Sequence, residues 1–404
     1  MPRHLALGTS GAIVAAYPAL RDLLAGRGPL LLPVAATTPQ RRGARPTRTP
    51  YLRTVTGAAV GTSGSTGAPK RAVLPIAALR ASIDATHERL GGPGRWVLAL
   101  PAYHIAGLQV VLRSLAAGPE PALLPDEGPF AARFADAASD LSGRWYTSLV
   151  PAQLGPLLQD AAATAALGRA AAVLCGGAAL PDPVRARAAA AGIALVSTYG
   201  MSETAGGCVY DGSPLAGVGV RFDEGRILLG GPTVAAGYLD DPQRSARVFL
   251  ADADGTPWFA TDDLGELAAD GTLAVQGRRD EVIITGGYKV HPAVVEAVLT
   301  ELLPPGSQVA VVGVPHPRWG EALVAAFATP SSSDDARDDG ASAPADRTDR
   351  LRPGLRERLP RYAVPQRVVQ LPALPLIGPG KVERAALAEE LATPHGERPT
   401  QVEQ

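Results

Sequence analysis

Short apolar runs that stop at glycine or proline alternate with alanine-rich amphipathic stretches through the first half of this chain. That alternation restricts the fold more than any other feature. WVLALP (96–101) and AAVLCGG (171–177) have the length and apolar content of buried strands ending in turn residues. PDPVRARAAAAG (181–192) reads as a helix between AAVLCGG and a further strand, IALVSTYG (193–200). Strand–helix–strand repeats imply a largely parallel α/β sheet, and ligands in such sheets sit beyond the carboxyl ends of the strands. VLALPAYHIAGLQVVL (97–112) is the longest uncharged run, but Pro101, His104 and Gln109 interrupt it. It reads as a buried strand, a functional turn and a helix, and no run is long enough to span a bilayer.

From about residue 214 the pattern changes. RILLGG, TLAVQGR and EVIITGG are short strands separated by glycine and aspartate turns, as in a small β-rich subdomain. After Asp280 a helix pattern, HPAVVEAVLTELL, precedes the strands QVAVVGV and ALVAAFA. Residues 330–350 are polar and low in complexity and are expected to form a flexible surface insertion. The expected organisation is a large α/β domain over 1–279, with mostly parallel sheets and the β-rich part at about 214–279, then a small α+β domain over 280–404. A chain of 404 residues suits two or three folding units.

The balance of 38 basic and 39 acidic side chains excludes a polybasic nucleic-acid or membrane surface. Cys175 and Cys208 lack the spacing of a zinc site or disulfide framework and suit a reducing cytoplasm. The N-terminus is a poor secretory signal, since Gly8, Ser10 and Gly11 break its apolar run.

The densest chemical signal is GTSGSTGAPK (61–70). Its glycines let backbone amides turn toward an anion, and Thr62, Ser63, Ser65 and Thr66 add hydroxyls, so the loop can cradle a polyphosphate. No GK[ST] follows, which sets it apart from a P-loop NTPase. The segment resembles the phosphate-binding signature of the adenylate-forming superfamily, which includes acyl- and aryl-CoA synthetases. Further motifs of that family follow in order from about residue 55 to 392.

The resemblance implies a role for each matching position. Thr62, Ser63, Gly64, Ser65, Thr66, Gly67 and Lys70 would hold the ATP phosphates, and Gly176, Gly177 and Ala178 of VLCGGAALP would flank the adenine. In STYGMSETAGG (197–207), Tyr199 offers a stacking face beside Gly200 and Met201. Thr204 offers a hydroxyl near the α-phosphate, and Glu203 is a hard oxygen ligand for Mg²⁺. FATDDLGEL (259–267) has Asp262 where the family has glycine, and Asp263 is taken as the ribose ligand. In GRRDEVIITGGYKVHP (277–292), Arg278 would contact ribose or phosphate and Asp280 would be the hinge. Gly286 and Gly287 would line the pantetheine path. Taken alone, Arg278 and Asp280 read equally as a surface ion pair. Lys381 of LIGPGKVERAAL matches the family's terminal lysine, whose ammonium bridges the attacking carboxylate and the α-phosphate.

The resemblance therefore implies an adenylate-forming ligase fold with a mobile small domain, ATP, Mg²⁺ and coenzyme A as cofactors and co-substrates, and no protein nucleophile. PAYHIAGLQV and YGMSETAGGCVYDG are similar to the short actinobacterial branch of the family that acts on o-succinylbenzoate in menaquinone synthesis. The 60 residues before the phosphate loop, fewer than is usual in the family, agree with that branch. His104 would face the acyl pocket, where an imidazole packs on an aromatic acid or binds its carboxylate. The alternative is a buried structural histidine. The partners implied are an aromatic acid, ATP and CoA, with a homodimer as one assembly and neither nucleic acid nor membrane insertion. A ligase for another aryl or acyl acid, and a non-catalytic nucleotide-binding protein on the same fold, remain as alternatives.

Overall fold

In a computed structural model the residues described are 2–35, 54–62, 70–304, 306–329, 344–377 and 381–392. All counts below refer to these. They divide into two compact units. One comprises residues up to Leu180, Val184–Thr261 and Gly265–Ala274; the other comprises Val275 onward with Pro181–Pro183 and Asp262–Leu264.

The first unit is built on two sheets. Strands β1 (Arg3–Ala6), β2 (Leu31–Val34) and β3 (Gly57–Thr62) run parallel, and β4 (Lys70–Pro75) returns antiparallel to β3. The second sheet contains β5 (Arg95–Leu98), β6 (Ala122–Leu123), β7 (Trp145–Leu149), β8 (Ala172–Gly176), β9 (Leu195–Met201), β10 (Gly206–Tyr210) and β11 (Ser213–Pro214). Its order is β11-β10-β9-β8-β7-β5-β6, parallel from β6 to β9 and antiparallel beyond.

Alternation along these strands covers both faces, as the two-residue period of a strand requires. Trp96, Leu98, Tyr146 and Leu174 pack into one core with Leu20, Leu74, Leu79 and Leu108. Their neighbours Val97, Trp145 and Val173 pack into a second core with Phe134, Leu154 and Leu167. The helices Ser10–Leu24, Ile76–Arg89 and Ile105–Ala116 fill the first core, between the two sheets.

Strands β12 (Gly219–Asp223), β13 (Arg226–Gly230), β14 (Phe249–Ala251), β15 (Pro257–Leu267) and β16 (Leu273–Arg278) form the expected β-rich sheet, ordered β12-β13-β15-β14 with β16 on β15.

The second unit contains β17 (Ile283–Thr285), β18 (Tyr288–Val290), β19 (Gln308–His316), β20 (Gly320–Ala328), β21 (Ala345–Asp346) and β22 (Arg367–Gln370) in one sheet. Helices Pro292–Leu302 and Thr348–Arg358 cover one face through Val295, Leu299, Leu351 and Leu355, and helix Arg384–Ala392 covers the other through Leu387 and Leu391. A short ribbon pairs β23 (Leu376–Ile377) with β24 (Lys381–Val382).

The expected insertion needs correction at its end. Residues 330–343 lie outside the described set, but 345–350 belong to β21 and the helix Thr348–Arg358. Asp346 Oδ1 accepts from the Thr348 amide at 2.8 Å, and Thr348 Oγ1 accepts from the Val368 amide at 2.8 Å. These bonds order a stretch that its composition alone reads as flexible.

Candidate active site

In the first unit the chemistry-bearing motifs converge beyond the carboxyl ends of the strands. Thr62 and Lys70 are register partners at the open end of the β3–β4 pair, so the phosphate loop leaves and re-enters at one point. Ser63, Gly64, Ser65, Thr66 and Gly67 lie outside the described residues. Ser202 Oγ donates to the Gly61 carbonyl at 3.3 Å, which fastens the STYGMSETAGG turn to the base of that loop.

That turn is tight. Strands β9 and β10 pair Met201 with Gly206 and Gly200 with Gly207, and a single 3₁₀ turn, Ser202–Thr204, joins them. A side chain on Gly200 would run into the facing strand, with Gly207 Cα 2.8 Å from a Cβ placed there. Ala205 closes the turn in the left-handed region, at φ 55°. Thr204 is fully buried; its hydroxyl accepts from the Met201 amide at 3.0 Å and donates to the Gly206 carbonyl at 2.9 Å. The hydroxyl is thus bonded within the turn to Met201 and Gly206.

Glu203 is 7% exposed and its Oε1 accepts from the Tyr238 hydroxyl at 2.7 Å. Burial pushes its carboxyl above the ordinary range, opposed by the Tyr238 bond and by the charges of Lys70 and Arg244. Tyr238 was not legible as a site residue. It arrives because residues 235–239 add to the edge of β4: the Val73 amide donates to the Gly237 carbonyl at 2.8 Å, and the Ala235 amide donates to the Glu203 carbonyl at 2.8 Å. Only a glycine-bounded aromatic, thirty-five positions on, marked it in the sequence.

Gly176 ends β8 opposite Thr198, and Gly177 turns at φ 82°. The exposed Gly177–Ala178 turn and half-buried Tyr199 thus end neighbouring strands at the same edge. Tyr199 and Met201 pack by one side against Cys208, Val209 and Leu229.

His104 is the N-cap of helix Ile105–Ala116, just beyond β5. Chain connections diverge here. Strand β5 lies between β6 and β7, and the helix after β5 enters one core while the helix Pro151–Leu157 after β7 enters the other. Such a topological switch leaves a crevice where ligands bind. Gln153 spans it, donating to the Ala99 carbonyl at 2.8 Å and accepting from the Val150 amide at 3.1 Å. His104 is half-buried with its ring 4.6 Å from that of Tyr103, and burial lowers its pKa. A neutral imidazole at a helix N-terminus can both accept and donate a hydrogen bond.

In the second unit Asp263, Arg278 and Asp280 are brought together. Arg278 makes a bidentate pair with Asp280, both bonds 2.8 Å, and stands 3.6 Å from Asp263 and 3.8 Å from Asp262. Gly286 and Gly287, at φ 55° and 86°, form the two-residue turn of the β17–β18 hairpin, whose type requires positive φ at both central positions. Lys381 begins β24, its backbone paired with Ile377. Among the described residues no group of three or more His, Cys, Asp or Glu converges to hold a metal ion. No described helix is long and apolar enough to cross a membrane.

The chain belongs to the AMP-binding enzymes: the model of the AMP-binding enzyme family matches residues 61–239, and that of the AMP-binding enzyme C-terminal domain matches 291–381. It is 44% identical, over 96% of its length and 98% of the relative's, to a Mycobacterium tuberculosis protein described as probable 2-succinylbenzoate–CoA ligase. A 2-succinylbenzoate–CoA ligase of Geobacillus kaustophilus is 30% identical over 81% of this chain, which spans 67% of that relative. Among solved structures, E. coli MenE with a bound analogue of OSB-AMS superposes with a TM-score of 0.67 at 25% identity, over 96% of this chain and 87% of that one. The fold is the adenylate-forming ligase fold that the resemblance implied.

Proposed function

We propose that this chain joins o-succinylbenzoate to coenzyme A, using ATP and passing through an acyl-adenylate, as a step in menaquinone biosynthesis. The observation that carries the reading is the 44% identity to the mycobacterial 2-succinylbenzoate–CoA ligase, which extends over nearly the whole of both chains. The local geometry supports it. The base of the phosphate loop at Thr62 and Lys70, the edge at Gly177 and Tyr199, and the crevice at His104 lie at the strand ends of one unit.

In the first half-reaction the acid's carboxylate attacks the α-phosphorus, and the bond to pyrophosphate breaks. The loop from Thr62 to Lys70 holds the departing phosphates, Tyr199 supports the adenine, and Asp263 with Arg278 takes the ribose. Lys381 supplies positive charge to the carboxylate and α-phosphate as the new bond forms. Glu203, a hard oxygen ligand, is the residue that would hold Mg²⁺. Bound there, Mg²⁺ would screen the triphosphate charge. Tyr238 orients that carboxylate. Thr204 shapes the turn that presents it. In the second half-reaction the CoA thiol attacks the activated carbonyl and AMP leaves, with Asp280 as hinge and Gly286 and Gly287 serving the pantetheine arm. Neither cysteine takes part: both are buried and unpaired, and burial pushes both thiols up to about 12. Free thiols suit the cytoplasm.

The test is pyrophosphate release from ATP and Mg²⁺ with o-succinylbenzoate, benzoate, salicylate and medium-chain fatty acids, with and without CoA. The expected result is a strong preference for o-succinylbenzoate and a CoA thioester product. Preference for another acid overturns the substrate, and no release with any acid overturns the ligase reading.

A further inference from the structure

Helix Ile105–Ala116 is almost wholly buried, yet it carries Gln109 at 1% and Arg113 at 3% exposure. With Ile105 these residues fall on one helical stripe at four-residue spacing. The stripe faces the turn that carries Glu203. Ile105 and Gln109 are the side chains next to Gly206, each 3.7–3.8 Å from where its Cβ would stand. Gln109 Nε2 donates to the carbonyl of Ala205 at 2.9 Å. Ser82, from helix Ile76–Arg89, donates to the same carbonyl at 3.1 Å. Arg113 reaches Ser82 Oγ at 3.4 Å, faces Tyr210, and lies 5.3 Å from the centroid of the Trp96 ring. No carboxylate among the described residues pairs with it.

Two donors from two helices meet on one carbonyl, filling both of its lone pairs, and they meet at a strained point. Ala205 is fully buried and left-handed, a conformation that a residue with a Cβ adopts only when its surroundings impose it. The paired donors fix the plane of the peptide that follows Ala205. They thereby fix the turn in which Glu203 and Thr204 immediately precede it.

We propose that Gln109 and Ser82 are positioning residues for nucleotide activation: they clamp the Ala205 carbonyl so that Glu203 is presented in one orientation, with Arg113 holding Ser82 in place. The helix that carries His104 at its N-terminus is thus the same one that holds the nucleotide-facing turn. The inference rests on the reading of Glu203 as a nucleotide-site residue.

The experiment compares Gln109→Met and Ser82→Ala with the parent chain. It reads ATP affinity by calorimetry without acid, kcat and KM for ATP and acid, and the thermal midpoint. Gln109→Met keeps the volume and removes the donor. It is expected to weaken ATP binding or slow adenylation about five- to tenfold, with the KM for acid changed by less than about twofold. A lowered midpoint with unchanged ATP affinity and kinetic constants overturns the clamp. If Gln109→Met does not fold, Ser82→Ala decides, since it deletes the second donor with little change of volume: unchanged ATP binding and kinetics overturn the clamp. A parent chain that neither binds ATP nor releases pyrophosphate is a different result, and it strikes the proposed function.

Discussion

At the scale of single residues, Glu203 is where stability and function pull apart. Its carboxyl is buried and its pKa raised by that burial, so the native state holds the proton more firmly than the unfolded chain does. The contribution of this group to stability is therefore fully present below the ordinary carboxylate pKa. It is lost as pH rises through the raised value. At neutral pH the group therefore stabilises the fold less than it does in acid. Glu203→Gln keeps an oxygen to accept from Tyr238, whose hydroxyl now stands 2.7 Å away, and carries no charge. The variant should be more stable than the parent by about 1 kcal/mol at neutral pH. The gain should shrink toward zero below the ordinary carboxylate range, as thermal midpoints across pH will show. The same variant should lose ATP affinity in the presence of Mg²⁺. A variant no more stable at neutral pH would mean that Lys70 and Arg244 already compensate the charge.

At the scale of elements, the adenine edge depends on how closely β8 and β9 approach. A Cβ on Gly176 would stand 2.6 Å from the carbonyl oxygen of Thr198 on the paired strand, and backbone cannot move aside as a flexible side chain can. Gly176→Ala should cost about 1–3 kcal/mol in denaturant unfolding and weaken nucleotide binding. An unchanged midpoint would show that the strands separate freely. The elements themselves were largely readable. The strand, turn and helix expected in VLALPAYHIAGLQVVL are β5, the turn to His104 and the helix Ile105–Ala116. The helix expected over 181–192 is Asp182–Ala190, and RILLGG and TLAVQGR are β13 and β16. These segments announce themselves through local periodicity and turn residues. Local signals carry nothing about Tyr238, Ser82 or Arg113, whose roles arise from contacts 31 to 123 positions away. Arg113 stands just past the uncharged run 97–112, and a composition-based reading of 345–350 as flexible missed two hydrogen bonds that order it.

At the scale of the whole molecule, the proposed chemistry assigns different residues to different half-reactions, and this division can be tested without reference to any one conformation. The triphosphate loop, Glu203 and the Gly177–Tyr199 edge belong to the first compact unit, while Lys381, Gly286 and Gly287 belong to the second. Lys381 acts only while a carboxylate attacks phosphorus, because only then does negative charge gather between them. Thiol attack on a formed acyl-adenylate proceeds at a carbonyl and releases AMP, a step in which that ammonium has no partner. Lys381→Ala should therefore lower pyrophosphate release by about a hundredfold or more, as expected for removing a charge that stabilises a transition state. It should leave CoA thioester formation from synthetic acyl-adenylate within a few-fold of the parent rate. The complementary substitution, Gly286→Val, introduces a branched side chain where φ is 55° and should slow the second half-reaction more than the first. Rapid-quench measurement of each half-reaction in both variants separates the outcomes. Loss of both half-reactions in Lys381→Ala would mean that the residue supports the fold or both steps alike, and its assignment to the first half-reaction alone would have to be abandoned.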